Sequence, residues 1–138
     1  MTGVQTCALP ILATWLDENV PRETVIGAFQ SGALGYFLDR HRVVNLDGVV
    51  NASALEALKG EEMYAYLLKE NISVVADWNW VVDISLRRNS KKKRARLKHI
   101  KDVCGGSIYE VRRPGRPYRL KIKQKKKKKD NVFKGDRF

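Results

Sequence analysis

The sequence is poor in the residues that staple, ligate or interrupt a chain. It holds two cysteines, two histidines, two methionines and four prolines in 138 residues. Cys7 and Cys104 are too few for a disulfide framework. Neither His41 nor His99 has Cys, His or carboxylate neighbours at ligand spacing. No metal site is expected, and each His reads as an exposed surface residue. Long apolar runs are missing too. Cys7 to Leu16 spans ten residues and includes Pro10 and Thr14, whereas a bilayer span needs about twenty. No basic segment precedes that run, so it does not read as a signal peptide. There is no GxSxG, P-loop or GxGxxG, and no cofactor is expected.

What is present is charge, unevenly spread. Residues 1–84 hold five Lys or Arg against eleven Asp or Glu, a net of −6. Residues 85–138 hold twenty-two against four, a net of +18, giving the chain total of +12. Such asymmetry points to a polyanionic partner or a basic tail. Hydrophobic residues at 43% and charged residues at 30% match ordinary globular usage, and the length suits one domain.

The two ends differ from the body. Met1-Thr-Gly-Val-Gln-Thr-Cys-Ala-Leu-Pro-Ile11 resembles the in-frame translation of a sequencing adapter. On that reading residues 1–11 are an artefactual leader, the chain is a fragment, and Cys104 is the one native thiol. That thiol reads as a small buried hydrophobe. Lys125 to Lys129 is a lysine homopolymer, and five adjacent like charges predict a disordered tail over 125–138. It is either a native polybasic tail or the product of a frameshift. One domain is left, over residues 12–124.

Within it, Ala13, Trp15, Leu16 and Val20 share a helical face that Pro21 ends. Val25 to Phe29, Arg42 to Leu46 and Ile72 to Ala76 read as buried strands. Between the first two lies a turn and short helix, Gln30 to Phe37. Between the last two lies a helix carrying Leu55, Leu58, Met63, Tyr64, Leu67 and Leu68, with a break at Gly60. Asn51 can cap it, and Ser53 with Glu56 has capping-box spacing. Strands alternating with helices at these spacings predict an α/β fold with a small, mostly parallel sheet. Trp80 to Leu86 reads as an edge strand or a short helix. Lys91 to Val103 reads as a basic helix with Leu97, Ile100 and Val103 or Cys104 inward. Ser107 to Val111 and Tyr118 to Ile122 alternate and predict a C-terminal β-hairpin turning at Pro114-Gly115.

Chemistry-bearing candidates are few. Ser31-Gly-Ala-Leu-Gly35 follows a strand, as phosphate-binding turns do, which singles out Gly32; tight packing accounts for the same glycines. Asn45, Asp47 and Gly48 lie at the carboxyl end of a parallel strand, the usual ligand edge of open α/β sheets, and equally suit a polar turn. Trp78 and Trp80 suit core packing, an interfacial anchor or a base-stacking platform. The cationic stretch Arg87, Arg88, Lys91, Lys92, Lys93, Arg94, Arg96, Lys98 and Lys101 suits a solvated helix face, nucleic-acid phosphates or anionic lipid headgroups. No motif supports nucleic acid. A small basic binding module for nucleic acid or an anionic membrane surface is the alternative reading of the whole chain.

Three blocks carry a family resemblance: Ala13-Thr-Trp-Leu-Asp-Glu-Asn-Val-Pro21, Val25 to Phe37 with its Leu-Gly-Tyr-Phe ending, and Arg42-Val-Val-Asn-Leu-Asp-Gly-Val-Val-Asn51. A strand ending in Asp77 and a late Ile-Tyr-Glu-Val segment also fit. Together they resemble the C-terminal extracytoplasmic domain of polytopic bacterial glycosyltransferases similar to the dolichyl-phosphate-mannose-protein mannosyltransferases (GT-C type). The resemblance implies an accessory domain on the extracytoplasmic face of a bacterial inner membrane. The missing membrane-embedded half would be its partner, and a polyprenyl-phosphate sugar would be the donor. It implies no catalytic residue here, because that family's catalytic acid lies in an early extracytoplasmic loop between membrane helices, and no residue of this chain matches that motif. Anionic lipid is a further expected partner; nucleic acid is a weaker one.

Overall fold

β3 (Ile72–Trp78) runs through the middle of the sheet because its side chains are apolar on both faces. Val74 and Ala76 join one buried cluster and Val75 the other, as a strand covered on two sides requires. The computed structural model of the chain describes residues 3–87 and 96–115. In order, the elements are α1 (Gly3–Asn19), β1 (Val25–Ala28), α2 (Ser31–Phe37), β2 (Val43–Asn45), α3 (Ala52–Lys59), α4 (Met63–Lys69), β3, α5 (Asn79–Val82), β4 (Leu97–Val103) and β5 (Gly106–Val111). A five-residue π turn, Asp83–Arg87, follows α5.

The five strands form one sheet in the order β2-β1-β3-β5-β4. β1 pairs parallel with β2 and with β3, and both crossovers carry helices. α1 and α2 cover one face, where Leu12, Leu16, Leu34 and Leu38 meet Ile26, Val74 and Ile108. α3 and α4 cover the other, where Met63, Tyr66 and Leu67 meet Val44, Val75 and Tyr109. Leu16, Ile26, Leu46 and Val75 are wholly buried, each contributing about 2 kcal/mol through apolar burial.

The expected mostly parallel sheet is corrected here to a mixed one. β5 lies antiparallel to both β3 and β4. Antiparallel neighbours need only a tight turn, and Cys104-Gly105 supplies it with φ of 50° and 84°. Positive φ at both central positions is the turn geometry that matches strand twist, and Gly105 takes it without strain.

The basic helix expected over Lys91 to Val103 is likewise corrected. Its described part is strand β4, and its apolar residues recur every third position because of a bulge. The register slips between His99 and Lys101, so Ile100 is an extra residue. Leu97 therefore packs on one cluster while Ile100 and Val103 pack on the other. Threefold spacing in a bulged strand imitates a helical face. β5 hairpins with β4; Tyr118 to Ile122, the partner expected for it, lies outside the described residues, as does the tail 125–138.

Smaller expectations also resolve. Asn51 caps α3 by accepting from the Ala54 N–H at 3.3 Å, and Ser53 lies inside the helix rather than at its cap. Gly60 does interrupt α3 and α4. Trp80 to Leu86 takes the helical alternative. His41 is buried, not exposed; its Nε2 lies 3.3 and 3.2 Å from the carbonyls of Val20 and Pro21. Cys104 is exposed because it sits at the hairpin tip. α1 extends through the leader to Gly3, with Pro10 inside it and Leu9 packed against the α1–α2 cluster.

Candidate functional site

The carboxyl ends of β1, β2 and β3 meet at one edge, and between β1 and β3 the chain leaves in opposite directions. α2 carries it to β2 across one face; α3 and α4 carry it to β3 across the other. Such a switch point is where open α/β sheets open a ligand crevice. Here it is closed by a side chain. The Asp77 Oδ2 accepts the backbone N–H of Phe29 at 2.7 Å and of Gln30 at 2.9 Å. Its Oδ1 accepts the Trp78 N–H at 2.7 Å. Asp77 is only 3% exposed. Burial pushes its carboxyl above the ordinary value of 3.8, while the N–H groups of Gln30, Trp78 and Phe29 pull it down and Asp47 adds a smaller upward push.

The turn that leads into α2 and Gly32 thus already gives its N–H groups to a carboxyl group of the protein itself. A phosphate there would have to displace Asp77 from these N–H groups. Gly32 itself is exposed, and a Cβ built on it meets nothing within 4 Å. Its small size is not required by close packing or by close approach of any described group.

Asn45 and Asp47 are engaged in the same manner. Asn45 donates from Nδ2 to Ser31 Oγ at 2.9 Å, which ties β2 to the start of α2. Its Oδ1 lies 3.3 Å from the Gly48 N–H. Asp47 Oδ1 accepts the Val49 N–H at 2.7 Å, the local bond expected of Asp in a turn. Gly48, at φ 80°, leaves no room for a side chain: a Cβ would lie 2.7 Å from Leu55 Cβ. Asn51 donates to the Asn45 carbonyl at 2.9 Å and to the Tyr66 hydroxyl oxygen at 2.8 Å. Trp78 Nε1 reaches Gln30 Oε1 at 2.8 Å. The structure therefore brings Asn45, Asp47 and Gly48 together near the start of α2 as a braced set of loops.

Three residues at this edge turn outward. Val49 is 82% exposed, Val50 81% and Trp80 62%. Trp78 is half-buried instead, so the two tryptophans have different roles.

The cationic stretch divides. Arg88, Lys91, Lys92, Lys93 and Arg94 lie outside the described residues, and Arg87 closes the π turn. Lys98 and Lys101 are exposed on β4, the edge strand of the sheet, where lysines and a bulge deter edge-to-edge pairing. Arg96 lies just before β4, its guanidinium 4.1 Å from the centroid of the Tyr64 ring.

A further polar cluster lies on the β4–β5 hairpin. Asp102 Oδ1 lies 2.7 Å from His99 Nε2 and accepts the Ser107 hydroxyl at 2.6 Å. Those two bonds, Ser107 first, hold the Asp102 carboxyl below its ordinary value. The carboxylate stands between Ser and His, so the imidazole has no direct bond to the hydroxyl, and the set braces the hairpin. Among the described residues no group of His, Cys, Asp or Glu is arranged to hold a metal ion.

Sequence reasoning missed Asp77 as a site residue. Its signal was a carboxylate closing an otherwise apolar strand, a place where a charge must find donors.

The model of the family described as "Domain of unknown function (DUF8728)" matches residues 3–122. The chain belongs to this family. The match includes the first helix from its start and runs past the hairpin. Searches of the curated proteins and of the solved structures find no match. No helix among the described residues is long and apolar enough to cross a membrane.

Proposed function

We propose that this DUF8728 domain is the accessory extracytoplasmic domain of a polytopic glycosyltransferase that uses a polyprenyl-phosphate-linked sugar, with catalysis carried by a membrane-embedded half. The observation that carries the accessory role is the engagement of the polar residues at the carboxyl edge. Asp77, Asn45 and Asp47 all bond their own loops. What that edge offers to a partner is apolar: Val49, Val50 and Trp80. Contact rather than chemistry is the use such an edge supports, because exposed aliphatic and aromatic tips are stabilised by burial against another surface. The glycosyltransferase part of the reading is supported by the sequence blocks ending at Pro21, Phe37 and Asn51.

The test has two arms. The purified chain is expected to transfer no sugar from a polyprenyl-phosphate donor. Full-length protein carrying Val49→Ser, Val50→Ser and Trp80→Ala is expected to fold yet lose most of its transfer activity. Saturable transfer by the isolated chain would defeat the accessory role. An upstream reading frame without hydrophobic spans would defeat the membrane assignment.

A further inference from the structure

The opposite edge of the sheet, where the parallel strands begin, collects arginines from three separate parts of the chain. Arg42, before β2, pairs with Glu70 at 3.6 Å. The next residue, Asn71, accepts from Arg113 Nη2 at 2.9 Å. Arg112, beside it, donates its backbone N–H to the Arg96 carbonyl at 2.8 Å. The Tyr64 hydroxyl donates to the Arg112 carbonyl, and its ring carries the Arg96 guanidinium. Arg42, Arg113, Arg112 and Arg96 thus mark one continuous edge, with Glu70 as the carboxylate paired within it.

Topology explains the gathering. β4 and β5 form a hairpin, so the residues entering β4 and those leaving β5 emerge at the same end. The Arg112–Arg96 backbone bond fastens that end. Arg96 and Arg112 therefore lie side by side, although fifteen residues separate them. α2 returns toward this edge before β2 begins. It brings Tyr36, 81% exposed, and Phe37, 45% exposed, as an edge-to-face pair 5.2 Å apart.

We propose that this edge, built on Arg96, Arg112 and Arg113, docks on an anionic lipid surface. Clustered cations at the end of a sheet are attracted to a surface of anionic headgroups. A broad edge of point charges meets a plane of headgroups without needing a groove. The choice of lipid rests on the membrane reading above; the test on the whole chain needs no transferase activity, so either can fail alone.

The experiment is co-sedimentation of the full chain with phosphatidylcholine vesicles containing about 30% phosphatidylserine, against pure phosphatidylcholine. Binding to the anionic vesicles alone is expected, falling by roughly tenfold or more in Arg112→Glu/Arg113→Glu. Binding of the unaltered chain should also fall steeply between about 0.1 and 0.5 M salt, a readout that does not depend on the variant folding. Absence of anionic binding, insensitivity to salt, or full retention by a folded double variant would overturn the proposal. Tighter binding to a structured RNA than to the vesicles would overturn the choice of partner.

Discussion

Asp77 and Phe29, forty-eight residues apart, are joined by a 2.7 Å bond from the Phe29 N–H to the Asp77 carboxylate. This bond fixes the end of β3 against the turn that opens α2. It turns the switch point of the sheet from a crevice for a foreign anion into a joint.

Replacing Asp77 by Ala leaves three buried or half-buried N–H groups without their acceptor. A loss of about 3 kcal/mol is expected by urea unfolding. Asp77→Asn keeps one acceptor oxygen and should cost less. Asp77 titrates above 3.8 in the folded chain. The folded state therefore holds this proton more tightly than the unfolded state. Stability linked to the group is fullest below about pH 4 and declines as pH rises through the raised value. Asp77→Asn should flatten that part of the stability profile, and NMR titration should place the carboxyl above its ordinary range.

Gly48 and Gly32 should respond in opposite ways to Ala. At Gly48 the positive φ and the Leu55 contact at 2.7 Å predict a loss of at least about 2 kcal/mol. Gly32 lies early in α2 with open space around it, so Gly32→Ala should be neutral or stabilising by up to about 1 kcal/mol. Thermal melts of the two variants separate these outcomes.

Asn51 does more than cap a helix. Asn51→Ala removes its bonds to Ala54, Asn45 and Tyr66 and should cost about 2 kcal/mol. Asn51→Asp retains the cap but loses both donor bonds, so it should fall between wild type and Ala. Equal losses for the two variants would assign all of the effect to the two donor bonds rather than to the cap.

Asp47 makes one local bond in a half-exposed loop. Asp47→Asn should be mild, and Asp47→Ala should cost about 1 kcal/mol or less. Full-length transferase carrying Asp47→Asn that folds normally but loses most of its turnover would give the loop a functional role.

Deleting residues 1–8 should leave the fold intact. Pro10 lies within α1 and suits the first position of a shortened helix. That helix would keep Leu12, Ala13 and Leu16, which carry its buried face. Cooperative unfolding with little change in midpoint is the expected result; loss of cooperativity would make the start of α1 part of the core.

The sequence by itself determined the pieces whose physics is local. Apolar runs at Val25, Val43 and Ile72 had to be buried strands. Asn51 had the side chain to cap α3, and Gly60 broke α3 from α4. From these the three parallel strands and the helices packed on them were legible. The tertiary structure decided what depends on partners far along the chain. β4 carries its apolar residues three apart, and only its pairing with β5 shows that a bulge, not a helix, produces that spacing. His41 has no local cue for burial; the two carbonyls its ring meets belong to Val20 and Pro21, just past the end of α1. Asp77 is the clearest case. One carboxylate after a strand can face solvent, a ligand or its own fold, and the choice was made by two N–H groups on β1's turn that no local pattern connects to it.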